Sequence, residues 1–248
     1  MNTEEMASHI SRIETMWTLV HQAHDPDAAA KRAQEALLQR YTGAIYRYLL
    51  GVLRDANAAD EVFQEFALKF VRGAFRNANP DRGRFRDFVK KALFNLIADH
   101  RNKQLRQPTA IESESLLPAA ASDDEIATDR EFVERWREEI MQRTWAALAA
   151  DEAKGKQPYH AVLHYRAAHP KEASGPMAAA LSKQLGRPLT DAGIRQVLKR
   201  AREKFAEHLI AEVRRSLVTD HDEALRDELS ELGLLQYCQS ALDKKTPS

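Results

Sequence analysis

The sequence has few of the residues that cross-link a fold or interrupt its helices and strands. It has one cysteine, Cys238, which excludes an intrachain disulfide and favours a reducing compartment. Glycine and proline number only nine each in 248 residues, and Asn-Gly hairpin signals and alternating strand patterns are missing. No apolar run approaches the roughly 18 residues of a membrane span, and the first residues lack the layout of a signal peptide. These absences favour a helical, cytoplasmic protein without membrane insertion.

A net charge of zero argues at first against a nucleic-acid partner, but the charges are unevenly distributed. Residues 70–106 hold ten Lys/Arg against three Asp, and residues 183–215 hold nine Lys/Arg against four acids. Each basic block precedes an acidic one, at 112–131 and 220–243, and both acidic blocks have a local charge of −6. The basic blocks can therefore bind phosphate locally while the chain stays neutral.

Apolar residues recur at helical spacing through most of the chain, which predicts an all-α fold. We expect two small helical domains joined by a flexible linker, the second containing a helix-turn-helix. The predicted boundaries are an N-terminal helical extension over 1–29, a first domain over 30–105, an acidic linker over 106–126, a second domain over 127–210 and an acidic helical tail over 211–248.

The first candidate site is the segment Ala59-Asp-Glu-Val-Phe-Gln-Glu65. Asp60, Glu61, Gln64 and Glu65 are spaced to share one helix face, whereas Val62, Phe66 and Phe70 recur every four residues on another. Such a face suits docking to a protein, but on the spacing alone a solvated surface helix is the more typical interpretation.

A second candidate lies in a predicted helix that begins near Arg84 and carries cations and aromatic residues together. Cations neutralise phosphates and aromatic rings accept unstacked bases, which is what capture of a single strand requires. A core role is the alternative for Phe85 and Phe88. The candidate residues are Arg76, Arg84, Phe85, Arg86, Phe88, Lys90, Lys91, Asn95, Asp99 and Arg101.

A third candidate is a predicted helix, turn and basic helix over residues 177–205. Gly186 is placed to end the first helix and Thr190 to cap the second. Arginine and glutamine can reach base edges in the major groove, while lysine and arginine hold phosphates. The candidate residues are Thr190, Arg195, Gln196, Lys199, Arg200 and Arg202.

Two of these segments together resemble region 2 of bacterial RNA polymerase sigma factors of the extracytoplasmic-function class. Residues 59–65 are similar to the family's Ala-Glu-Asp-Leu-Val-Gln-Glu. The segment Phe85-Arg-Asp-Phe-Val-Lys-Lys-Ala-Leu-Phe-Asn-Leu-Ile-Ala-Asp99 follows at the family's separation, with Phe88 in place of the usual tryptophan. Residues 194–202 are similar to the basic helix of region 4, after a turn about two residues longer than usual.

The resemblance implies a sigma factor that catalyses no reaction and needs no cofactor or metal. It would bind core RNA polymerase through the Asp60–Glu65 face and direct transcription initiation at promoter DNA. Residues 75–103 would capture the single-stranded −10 element, and residues 190–204 would contact the double-stranded −35 element. An anti-sigma factor is left open as a further partner. The alternative is a stand-alone helix-turn-helix regulator whose N-terminal bundle binds a ligand or dimerises.

Other features favour simpler interpretations. His160 and His164 have the spacing of a metal pair, but the sequence lacks the glutamate of a His-Glu-x-x-His motif. Cys238 suits helix packing better than nucleophilic chemistry. Leu225, Leu229 and Leu232 form an apolar stripe in the acidic tail, which can either restrain the basic helix near it or extend the core of the second domain.

Overall fold

The computed structural model describes residues 29–75, 84–106, 121–155, 157–217 and 221–244. Within these ranges every regular element is a helix, which confirms the all-α prediction. The helices are α1 (Ala29–Leu53), α2 (Ala56–Val71), α3 (Phe85–Arg106), α4 (Ala121–Ala153), α5 (Tyr159–Ala168), α6 (Ser174–Leu185), α7 (Asp191–Arg214), α8 (Asp222–Glu231) and α9 (Leu235–Asp243). Of the N-terminal helical extension expected over residues 1–29, only Ala29 lies within the described residues. None of the described helices is long and apolar enough to cross a membrane.

The chain divides into two compact units, and the division falls inside α4. The first unit holds α1, α2, α3, the part of α4 up to Glu139, and residues 214–224. The second holds the rest of α4, α5, α6, α7 up to Val213, and the chain from Leu225 onward. The boundary therefore differs from the one expected at residue 127, and α4 begins inside the segment expected to be a linker.

Aromatic packing accounts for the place of α4 in the first unit. Trp136 stacks on Tyr41 of α1, with ring centroids 4.6 Å apart, and Phe132 meets Tyr48 edge-on at 5.1 Å. An ion pair of 2.8 Å between Arg47 and Glu139 joins the same two helices. Large buried rings contribute several kcal/mol each through lost water contact. This stretch of α4 thus completes the core of the first unit.

The second unit has its core between α5, α6 and α7. Val162, Met177, Leu181, Ile194 and Leu198 form one buried cluster at helical spacing along the three helices.

The acidic tail supplies buried side chains to the second unit. Leu225 and Leu229 of α8 and Cys238 and Leu242 of α9 are all buried. Gly233 ends α8 with a φ of 65°, as expected of a C-terminal cap. This arrangement favours the interpretation in which the tail extends the core.

Candidate functional site

The candidate docking face lies on α2, whose start is fixed by Asp55. The Asp55 carboxylate accepts hydrogen bonds from the backbone N–H of Asn57 and Ala58, which caps the helix. The buried residues Ala58, Ala59, Val62, Phe66 and Phe70 then follow one stripe. Asp60, Glu61 and Gln64 are exposed on the other side, as the spacing predicts, whereas Glu65 is half-buried.

Glu65 is engaged by two lysines inside the first unit. Its carboxylate lies 3.3 Å from Lys69 Nζ on α2 and 3.4 Å from Lys103 Nζ on α3. Desolvation raises the pKa of Glu65, but the hydrogen bonds and charges of the two lysines outweigh it, so the pKa is lowered. Glu65 is therefore less available to a partner than its three exposed neighbours.

Weaker contacts tie the rest of this face to the same unit. His100 Nδ1 of α3 lies 3.7 Å from the carboxylate of Glu61, which is itself 71% exposed. A side-chain hydrogen bond with Asp60 raises the pKa of Tyr46 on α1. Because Asp60 and Glu61 are both exposed, these contacts leave the carboxylates accessible to a partner.

Two of the candidate −10 residues on α3 are in the core. Phe85 is 3% exposed and packs against Tyr41 and Trp136, with ring centroids 5.2 and 6.2 Å away. Arg86 is also 3% exposed. This corrects the expectation that both side chains face DNA, because a base or phosphate cannot reach a side chain with so little surface.

Three further candidates at the start of α3 are partly covered, and one lies beyond the described residues. Phe88 is half-buried and packs edge-on against Phe75 at 5.3 Å. Lys90 forms an ion pair of 3.1 Å with Asp129 of α4, and Arg84 is half-buried. Arg76 is outside the described residues. The cationic surface of α3 is thus smaller than the sequence predicts.

The remaining candidates form an open face on α3. Lys91, Asn95, Asp99 and Arg101 are all exposed. Phe94 belongs to this face too, with 43% of its surface exposed, although it was not among the predicted site residues. The sequence could have indicated this exposure, because residue 94 lies off the apolar stripe, between the core positions Leu93 and Leu96. A ring beside an amide and a lysine is suited to stacking on a base and holding its phosphate.

The junction between α6 and α7 is held by local hydrogen bonds. Gly186 caps α6 in the left-handed conformation, with a φ of 63°, which confirms the predicted cap. The Ser182 hydroxyl accepts from the backbone N–H of Leu189 at 2.9 Å and donates to the Ala178 carbonyl at 2.6 Å. The Thr190 hydroxyl accepts from the Gly193 N–H at 3.0 Å and caps α7, again as predicted. The role of Thr190 in the structure is therefore to cap α7.

Every other candidate residue on α7 is exposed. The set comprises Arg195, Gln196, Lys199, Arg200 and Arg202. Arg195 forms an ion pair with Asp191 one turn earlier but remains 60% exposed. The opposite side of the helix carries the buried Ile194, Leu198 and Ala201. α7 therefore presents a continuous row of cations and one amide to solvent.

The weaker candidates take structural positions. His160 and His164 stack on each other at 5.6 Å, and Trp145 meets both rings edge-on. Among the described residues no three His, Cys, Asp or Glu side chains form a group that could hold a metal ion. Cys238 is buried, and burial raises the pKa of its thiol to about 12.

Comparisons with protein-family models, with curated proteins and with solved structures found no match to this chain.

Proposed function

We propose that this chain is a bacterial sigma factor of the extracytoplasmic-function class, acting in the cytoplasm as a non-catalytic subunit. It would bind core RNA polymerase through the exposed polar face of α2, defined by Asp60, Glu61 and Gln64. It would capture the single-stranded −10 element on the open face of α3 and contact the −35 duplex with α7. An anti-sigma factor would be a further partner.

The observation that carries this proposal is the pairing of two unlike faces in the first unit. α2 exposes acids and an amide, while the neighbouring α3 exposes Lys91, Phe94 and Asn95. The Glu65–Lys103 ion pair joins the two helices. A protein-docking face beside a strand-capturing face is the arrangement that a link between polymerase and promoter requires. The sequence resemblance at residues 59–65 and 85–99 supports the same assignment.

The second unit supports the proposal through α6 and α7. A short helix, a left-handed glycine and a capped basic helix are the parts of a helix-turn-helix. Arg195 and Gln196 lie in the first turns of α7, where side chains of a recognition helix reach base edges. Lys199, Arg200 and Arg202 follow along the helix, where contacts to phosphates are expected.

Binding of core polymerase tests the proposal directly. We expect the double variant Asp60→Ala, Gln64→Ala to bind core enzyme about 1–3 kcal/mol more weakly, because contacts buried on binding are lost. The matched control is Asp227→Ala, Gln239→Ala, which removes an exposed acid and an exposed amide from the second unit. Circular dichroism should show unchanged helicity in both. Equal affinities of wild type and the first variant for core enzyme would refute the docking assignment.

Single-strand binding tests the assignment of α3. If Lys91 and Arg101 each neutralise one phosphate, the log–log salt slope should be roughly −1.4. Phe94→Ala should cost about 1–3 kcal/mol through lost stacking. Leu105→Ala is the matched control, since Leu105 is 84% exposed on the same helix and has no aromatic ring. If both variants lost the same affinity for the single strand, Phe94 would have no role in stacking, and α3 would be only a general phosphate-binding surface.

Duplex binding tests the assignment of α7. Arg195→Ala should change sequence preference by about 1–3 kcal/mol at one base pair. Arg200→Ala should weaken all duplexes alike, since a phosphate contact carries no sequence information. A uniform loss with Arg195→Ala would show that this residue does not contact a base.

The alternative, a stand-alone regulator that dimerises through its first unit, has one observation in its favour. Leu68 and Val71 of α2 are 51% and 48% exposed, which is high for apolar side chains near the end of a helix. Sedimentation of the free protein separates the two functions. A stable dimer that does not bind core polymerase would favour the regulator.

A further inference from the structure

The second unit contains a cavity of about 900 Å³, to which the proposed function assigns no ligand. Its walls come from four helices: α4 supplies Met141 and Trp145, α5 supplies Leu163, α7 supplies Phe205 and Ala206, and α9 supplies Ala241. Pockets for small organic ligands span roughly 300–1,000 Å³ and are lined mainly by apolar and aromatic side chains. The cavity has the size and the lining of such a site.

Positive charge surrounds this apolar space. Of the lining residues four are cations, Arg166, Lys199, Arg202 and Lys244, and one is an acid, Glu203. The acid is already occupied, because Glu203 accepts a hydrogen bond of 2.6 Å from Lys244. That contact is the first cause of the lowered pKa of Glu203. The charge of Lys199 also contributes to this lowering, but the ion pair that Glu203 forms among the cations of the lining is with Lys244.

The cations differ in whether their hydrogen-bond donors already have acceptors within the protein. Arg166 donates to the backbone carbonyl oxygens of His169, Pro170 and Glu172, so its guanidinium is held in place. Lys199 and Arg202 lie three residues apart on α7, and neither forms an ion pair within 4 Å with another described residue. Their donors are therefore available to an anionic group at the edge of the cavity.

We propose that this cavity binds an amphipathic organic anion, with an apolar body between α4, α5, α7 and α9 and one carboxylate held by Lys199 and Arg202. The apolar body of the ligand would be buried against the walls of the cavity, which favours binding. A carboxylate gains charge-assisted hydrogen bonds from the two cations. A neutral or cationic ligand of the same shape lacks the second contribution. Lys199 and Arg202 are also the residues proposed above to contact phosphates of the −35 duplex, but binding of the anion is measured on the free protein, without polymerase or promoter.

Isothermal titration calorimetry of the full chain tests the proposal with three probes. Decanoate represents an aliphatic carboxylate and 2-naphthoate an aromatic one, and the tighter of the two identifies the kind of body that the cavity accepts. Decyltrimethylammonium carries the same chain with the opposite charge. We expect at least one carboxylate to bind with one-to-one stoichiometry, and the cation to bind at least about tenfold more weakly.

Two variants and their matched controls locate the site. Lys199→Gln combined with Arg202→Gln should weaken carboxylate binding about tenfold, whereas Arg195→Gln, on the same helix but outside the lining, should not. Ala241→Trp should fill the cavity and abolish binding, whereas Ala179→Trp on the exposed side of α6 should not. Thermal unfolding of each variant shows that it is folded.

Three results would overturn the proposal. One is no binding of either carboxylate by wild type at millimolar concentration. Another is equal affinity for the cationic probe, which would show a non-specific apolar surface. The third is a folded Ala241→Trp variant that binds as wild type does, which would place the ligand elsewhere.

Discussion

Replacement of Leu229 by alanine tests whether the acidic tail is part of the core of the second unit. Leu229 is fully buried in α8, with 0% of its surface exposed. Removal of a buried leucine side chain costs about 2.7–5 kcal/mol, through lost burial and the cavity that is left. Because the total stability of a domain is only about 5–15 kcal/mol, this one change should remove a large share of it.

Calorimetry of the full chain provides the measurement. A loss of 1 kcal/mol lowers the melting temperature of a unit of this size by about 4–8 °C, so the transition of the second unit should fall by at least roughly 10 °C. Leu229→Met keeps the volume and should cost less than about 1.5 kcal/mol. Gln239→Ala, at an exposed position on α9, should stay within about 0.5 kcal/mol of wild type.

The restraint hypothesis makes the opposite prediction. If the tail only lay over α7 and competed with DNA, Leu229→Ala would loosen it and tighten duplex binding without lowering the melting temperature. A change of less than about 0.5 kcal/mol in the free energy of unfolding would therefore refute the core assignment of α8.

Three further predictions follow from single residues. Trp136→Ala should destabilise the first unit by about 3–5 kcal/mol in calorimetry, because Trp136 is buried against Tyr41; an unchanged first unit would show that α4 does not belong to it. Gly186→Ala should cost about 1–2 kcal/mol in urea unfolding, since its φ is 63°, whereas Gly175→Ala, with nothing within 4 Å of the added methyl, should be neutral or stabilising. Cys238 should resist thiol labelling at pH 8 until the protein unfolds, because burial raises its pKa to about 12; fast labelling of the native chain would contradict its buried position.

Much of the fold could be predicted because the local signals agree with one another. Val62, Phe66 and Phe70 recur every four residues and are all buried. Gly186 and Thr190 have the residue types that caps require and take those positions. Each of these signals depends only on neighbours within one or two helical turns, so no knowledge of the tertiary structure is needed.

The start of α4 was missed for a different reason. Residues 121–125 read Ala-Ser-Asp-Asp-Glu, a composition that suits an acidic linker. Acids are also the residues that the dipole favours in the first turn of a helix, and that signal in the sequence could have indicated a helix start.

The candidate site was predicted less fully, because burial of a given face depends on a helix distant in sequence. Phe85 and Arg86 have the composition of a DNA-binding surface, but Phe85 contacts Trp136, about fifty residues later in the chain. Periodicity identifies an apolar stripe and not its width, so residues at its edge cannot be assigned from sequence alone. Phe94 is a different case, because its place off the apolar stripe, between the core positions Leu93 and Leu96, was a signal that the prediction did not use.

The charges of the second unit are arranged differently from what the composition suggests. An acidic block of −6 that follows a basic block of +5 suggests that the two neutralise each other. In the structure the leucines of α8 point into the core, and Asp222, Glu223 and Asp227 are exposed. Between α7 and the chain that follows it, Arg214 at the end of α7 pairs with the tail acid Asp222, whereas the pair of Glu203 with Lys244 has the reverse polarity. Arg195 is paired with Asp191 of its own helix. Apolar burial sets the orientation of the tail, so that Glu223 and Asp227 are exposed whereas Glu228 is buried. The exposed Lys199, Arg200 and Arg202 of α7 keep the positive charge that an anionic partner requires.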